Sequence, residues 1–171
     1  MDKLVEEAKR GDKKAFIDLI RGVRGDLYKV AKGFLSCEED IKDVISETIV
    51  IAYEKVGTLR NNEYFKTWIT RILINKCNLI LKEKKKITYL SDIKEISYPQ
   101  DFRNIDLYRA VDNLSEEIKM VIVLYYFGDY PVDKISEVLD IKEGTVKSRL
   151  FRGRKKLFEV LREGEEKSYV K

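Results

Sequence analysis

The sequence predicts an all-α fold, two small helical domains joined by a flexible linker, on three observations. Apolar residues recur at three- and four-residue steps through two segments of the chain. An irregular stretch containing Pro99 and several Ser and Asp residues separates those segments. From Tyr130 onward a short helix, a turn of about four residues and a longer helix follow at helix-turn-helix spacing. The expected division is residues 1–86, a linker over 87–105, and residues 106–171 as a winged-helix-like DNA-binding domain.

In the first domain, Ala15, Phe16, Leu19, Ile20, Val23, Leu27, Val30, Ala31 and Phe34 form an amphipathic stripe. It fits one helix, or a pair broken at Gly22 or Gly25. A second helix runs from about Glu39 to Val56, carries Ile41, Val44, Ile45, Ile49, Ala52 and Tyr53, and is expected to end in a left-handed cap at Gly57. After a polar loop, Thr58 to Glu63, a third helix places Phe65, Trp68, Ile69, Ile72, Leu73 and Ile80 on one face. It ends in the lysine run at 82–86. In the second domain Leu107, Ala110, Val111 and Leu114 suggest a short helix, and Ser115 can cap the next, which buries Ile118, Val121, Ile122 and Tyr125 before stopping at Gly128. Pro131 suits a first helical position, and Val132, Ile135 and Leu139 form the inner face of a two-turn helix.

Composition excludes several function classes. The chain has no histidine, the commonest general base and metal ligand. It also lacks a Gly-rich phosphate loop, a Gly-x-Ser-x-Gly elbow and a His-Glu-x-x-His pair. The expectation is a protein that is not an enzyme, with no cofactor, no metal and no small-molecule substrate. Cys37 and Cys77, forty positions apart, read as small buried residues rather than a zinc site or a disulfide. No apolar run approaches the roughly 18 residues of a membrane span, and the N-terminus lacks a signal-peptide core, so a cytoplasmic location is expected.

The net charge of +4 implies little, but its distribution is informative. Residues 142–156 hold seven basic side chains against Glu143, residues 82–86 hold four lysines against Glu83, and the linker is net acidic. On the last helix Val146, Leu150, Leu157 and Leu161 share one face, whereas Thr145, Ser148, Arg149 and Arg152 cluster about 130° away. That second face suits DNA. Arginine can donate two hydrogen bonds to one guanine, so Arg149 and Arg152 are the expected base readers. Lys147, Arg154, Lys155 and Lys156 are expected to meet phosphates and to set affinity and salt dependence. In the first domain Asn61, Asn62 and Tyr64 are candidates for unstacked bases, while Phe65 and Trp68 sit at core spacing.

These residues resemble the bacterial sigma factors of the extracytoplasmic-function type, which give core RNA polymerase its promoter recognition. The resemblance spans nearly the whole chain. Its strongest part is Gly144-Thr145-Val146-Lys147-Ser148-Arg149-Leu150-Phe151-Arg152-Gly153-Arg154, similar to the family's −35 recognition helix. Phe65-Lys66-Thr67-Trp68-Ile69, continuing to Ile72 and Asn75, is similar to its −10-binding helix. Asp43-Val44-Ile45-Ser46-Glu47, with Gly11-Asp12 and Ala15-Phe16, completes the match.

The resemblance implies that Asp40, Asp43, Val44 and Glu47 bind the β′ clamp helices of core polymerase, and that the polymerase β flap is a further partner. It implies that Arg60, Asn61, Asn62, Glu63 and Tyr64 capture a flipped −10 base, and that Lys66, Arg71, Asn75, Asn78 and Lys82 hold the melted strand and upstream duplex. It further implies an anti-sigma factor as partner, often membrane-anchored and released by an envelope-stress signal. Ser46, Lys82, Lys134 and Ser136 depart from the family's usual glutamine, arginine, glutamate and alanine, which bars transfer of a promoter sequence. Two alternatives remain at this point: a stand-alone DNA-binding regulator, and an interaction module that does not touch DNA.

Overall fold

The computed structural model describes residues 1–90 and 105–168, with helices and no strand among them. The chain divides into two compact units, Met1–Glu95 and Ile96–Lys171. The all-α class is therefore observed.

The first unit contains α1 (Asp2–Lys9), α2 (Lys13–Phe34), α3 (Glu38–Lys55) and α4 (Phe65–Leu90), with 3-10 turns at Val56–Thr58 and Asn62–Tyr64. Sequence periodicity missed α1, which buries Val5 and Ala8 in the core. Between α1 and α2 the chain reverses at Gly11, whose φ of +94° is open to glycine without a Cβ clash. The Asp12 carboxylate then caps α2, accepting from the Lys14 and Ala15 amides at 2.8 and 3.1 Å. Asp12→Ala should cost about 1 kcal/mol, typical of a lost N-cap, read as a lower urea midpoint for the first unit. An unchanged midpoint would show the cap to be redundant.

Neither Gly22 nor Gly25 breaks α2. Both face outward, where an added Cβ would meet nothing, and the buried stripe from Ala15 to Phe34 outweighs their weak helix propensity of about 1 kcal/mol each. Gly57 is not a left-handed cap either: α3 passes into a 3-10 turn that includes it. On α4 the buried face is Phe65, Ile69, Leu73, Ile74 and Cys77, while Trp68, Ile72 and Ile80 are half-buried. The helix continues through residues 87–90, which the sequence assigned to the linker; the rest of that segment up to residue 104 lies outside the described residues.

The second unit is α5 (Ile105–Asp112), α6 (Glu116–Tyr126), α7 (Val132–Leu139) and α8 (Glu143–Ser168). Ala110, Val111, Leu114, Val121, Ile122, Leu124, Ile135, Val146 and Leu150 are its core. Ser115 is the N-cap of α6 without a side-chain hydrogen bond, and Pro131 stands one place earlier than expected, as the N-cap of α7. Just past Gly128, Asp129 takes the left-handed conformation (φ 54°), and a second aspartate, Asp140, takes it after α7. Short polar side chains tolerate this region because they can bond locally to the backbone. α8 crosses α6 at Gly153, where an added Cβ would lie 2.7 Å from Ile122 and 2.9 Å from Ile118.

Candidate nucleic-acid interface

The turn between α7 and α8 is Asp140-Ile141-Lys142. Asp140 closes α7 in the left-handed conformation, and the Ile141 amide returns to the Ser136 carbonyl at 3.1 Å. The Lys142 carbonyl then accepts from the amides of Thr145 and Val146, which starts α8. Inside this corner Ile135, Val138, Val146 and Leu150 are buried, with Leu139 and Ile141 half-buried. Their packing fixes the angle of the corner and aims the opposite face of α8 outward.

That outward face carries Lys147, Ser148, Arg152, Lys155 and Lys156, all exposed, with Thr145 half-buried at its edge. Ser148 donates to the Thr145 carbonyl at 3.0 Å, and Lys147 pairs with Glu143 at 3.3 Å. Arg152 makes no hydrogen bond or ion pair among the described residues. Phe151, absent from the expected site, lies beside Arg152 and is 70% exposed. Its helical angle, about 100° from Leu150 and about 140° from Val146, places it off the buried stripe and was the signal that would have found it.

Two arginines behave differently from expectation. Arg149, expected to read bases, donates from Nη2 to the Glu117 carboxylate of α6 at 2.6 Å, and its side chain is 18% exposed. Arg154, expected on phosphate, donates from Nε to Tyr126 Oη at 2.8 Å. Its guanidinium lies 5.4 and 5.9 Å from the ring centroids of Tyr125 and Tyr126, a cation–π arrangement.

In the first unit, Leu59 is buried and anchors the loop before α4. Arg60, Asn61, Glu63 and Tyr64 are exposed. The Asn61 side chain accepts from the Glu63 amide at 3.2 Å, so it shapes the turn. Asn62, expected to be available for a base, instead accepts from Lys9 at 3.2 Å and donates to the Asp2 carbonyl at 3.4 Å. Those bonds tie the loop to α1. Phe65 is fully buried with its ring centroid 6.0 Å from that of the half-buried Trp68. Along α4, Arg71, Asn75 and Lys82 are exposed, Asn78 is half-buried, and Lys66 pairs with Asp26 of α2 at 2.6 Å.

On α3, Asp43 is exposed, Glu47 pairs with Lys76 of α4 at 2.8 Å, and Asp40 pairs with Lys84. Val44 is 1% exposed. It faces inward with Ile41, Ile45 and Thr48, so it supports the helix from behind instead of meeting a partner. Beside this face an open groove of about 780 Å3 runs between α2 and α3. Phe16, Ile17, Ile20, Ile45 and Ile49 line it, with Arg21, Arg24 and Lys42 at its rim. Among the described residues no group of His, Cys, Asp and Glu could hold a metal ion, and no helix is long and apolar enough to cross a membrane.

Comparison with known proteins agrees with this arrangement. Residues 19–86 match the family Sigma-70 region 2, and residues 105–157 match Sigma-70, region 4. RNA polymerase sigma factor SigV of Bacillus subtilis is 30% identical over 151 residues, covering 86% of this chain and 91% of the relative. The ECF RNA polymerase sigma-E factor of Escherichia coli is 28% identical over 171 residues, 88% of each chain. Among solved structures, CnrH in complex with the cytosolic domain of CnrY shares the fold with a TM-score of 0.78 at 23% identity, over 94% of this chain and 96% of that one. The sigma factor RpoE in complex with the anti-sigma factor NepR from Bartonella quintana gives 0.74 at 22% identity, over 87% and 98%. With both family regions matched in order, one on each compact unit, the chain belongs to the sigma-70 family of RNA polymerase sigma factors, in its extracytoplasmic-function branch.

Proposed function

We propose that α5–α8 read the −35 promoter element through the outward face of α8, while α1–α4 bind core polymerase and the −10 element. The observation that carries this reading is the segregation on α8: a buried apolar stripe sets the helix in its corner, and the opposite face presents Arg152, Ser148, Lys147, Lys155 and Lys156 to solvent. Arg152 is the base reader, and the lysines neutralise phosphates.

In the first unit Arg60, Glu63 and Tyr64 offer exposed groups for a flipped base, with Asn61 and Asn62 shaping the loop that presents them. Arg71, Asn75 and Lys82 follow along one helix and track the melted strand, with Lys66 and Asn78 beside them. Core polymerase docks on the α3 face of Asp40, Asp43 and Glu47. The apolar groove on the opposite flank of α3, rimmed by cations, suits a helix of a protein partner, and an anti-sigma factor released by an envelope signal is the partner this family role calls for. The protein works in the cytoplasm and supplies recognition, while phosphodiester chemistry stays with the polymerase.

The test is RNA synthesis by bacterial core polymerase on a genomic fragment library, with and without the protein. Discrete new start sites sharing two spaced elements are expected. Specific DNA binding by the protein alone, with no polymerase-dependent starts, would move the reading to a stand-alone regulator. On the promoter so defined, Arg152→Ala should lose about 1–3 kcal/mol of discrimination at one upstream base pair. Lys155→Ala should weaken all sequences alike and lower the salt slope by about one. Equal losses on every sequence from Arg152→Ala would sink its base-reading role.

A further inference from the structure

We infer that Glu117, through its ion pair with Arg149, is a positioning residue that sets the angle of the recognition helix for promoter reading, with the Arg154–Tyr126 contact as the second tether. The inference rests on the proposal that α8 reads the upstream element. Gly153 lets α8 approach α6 closely at Ile118 and Ile122, and the buried Val146 and Leu150 seat α8 in its corner with α7, so apolar packing sets the coarse angle and polar contacts to α6 refine it. The two arginines lie on either side of this point along α8. Arg149 reaches Glu117 in the first turn of α6 at 2.6 Å, and Arg154 reaches Tyr126, its last residue, at 2.8 Å. On α6 the two tethers lie at opposite ends of the helix, while on α8 Arg149 stands four residues from Gly153 and Arg154 next to it, so the Arg149–Glu117 pair has the longer lever against rotation.

The lever arm makes this matter. Thr145 lies eight residues before Gly153, about 12 Å along the helix at the α-helical rise. A rock of about 10° would move it by about 2 Å, well beyond the narrow range of useful hydrogen-bond distances. Arg152, beside the pivot, would hardly shift along the groove. A loosened angle therefore breaks the register between the two ends of the reading face. Glu117 is itself held: it occupies the positive end of the α6 dipole, where a carboxylate is favoured. The Glu117 side chain is 69% exposed and that of Arg149 18%, so solvent screens the pair from the glutamate side, and removing Glu117 should act more on reading than on folding.

The test uses the full chain with core polymerase on its promoter, with each upstream base pair substituted in turn. Glu117→Ala and Arg149→Ala should each cut preference about fivefold at several base pairs together, with thermal unfolding nearly unchanged, and the double substitution should be no worse than either alone. The exchanged pair, Glu117→Arg with Arg149→Glu, keeps the net charge and should recover most of the preference. Loss at one base pair in Arg149→Ala, with full preference in Glu117→Ala, would make Arg149 a base reader and overturn the inference. An exchanged pair as poor as the single variants would also overturn it. Arg152→Ala separates the two levels: if it too leaves promoter preference intact, the reading by α8 falls and takes this inference with it.

Discussion

Replacing Gly153 by leucine is expected to unfold the second unit, or to displace α8 from α6, at a cost of about 3 kcal/mol. Even the first carbon of a side chain would stand 2.7 Å from two atoms of Ile122 and 2.9 Å from Ile118 Cγ2. Ile118 and Ile122 are buried and β-branched, so they have few rotamers into which to retreat. A small domain holds only about 0.05–0.15 kcal/mol of stability per residue, so such a loss approaches the whole. Thermal denaturation should show the transition of the second unit lowered or absent. Upstream-element selection should vanish with it, while polymerase binding through the first unit persists. Gly153→Ala is the graded control: its helix propensity gain of about 1 kcal/mol offsets part of the overlap, and a shift within about 1 kcal/mol is expected. A leucine variant that melts like the native chain would show that α8 can separate from α6 without cost.

The second large effect is expected from Phe65→Ala. Phe65 is fully buried and opens α4 directly after the loop of Arg60 to Tyr64. Truncating a buried phenylalanine costs about 3–5 kcal/mol, from lost burial and from the cavity left behind. The residue also anchors the loop, since the 3-10 turn at Asn62–Tyr64 passes into α4 at this side chain. Loss of the first unit's unfolding transition is expected, together with loss of open-complex formation. A calorimetric shift of less than about 1 kcal/mol would show that the core relaxes into the cavity.

Much of this architecture was legible in the sequence because burial imposes a period. The stripe of α2, the span of α3 and the corner of α7 and α8 follow from apolar spacing, and the match of α8 to a recognition helix needed only residue order. The failures have physical causes. The helix α1 has too few turns to show a period, and it is stabilised by docking Val5 and Ala8 rather than by its own sequence. Lys119 defeats binary patterning: its side chain is 8% exposed and pairs with Asp112 at 2.6 Å, and nothing in the local sequence announces that partner. Gly57 looks like a left-handed cap but is not one, while Asp129 and Asp140 take left-handed positions in the second unit without a glycine to announce them.

The sites divide in the same way. By itself the sequence determined the all-helical class, the family, and the identity of the basic helix proposed to face DNA, because these depend on composition, order and period. Tertiary structure decided which side chains on that helix are available. Arg149 and Arg152 are equivalent in sequence, three residues apart on one face, but among the described residues α6 places Glu117 against the first and nothing against the second. Asn62 is likewise drawn from the loop to α1 by Lys9, fifty-three residues away, and Val44 is turned into the core by the packing of α3. Such pairings arise between elements distant in the chain, where local periodicity carries no information about which polar groups will meet.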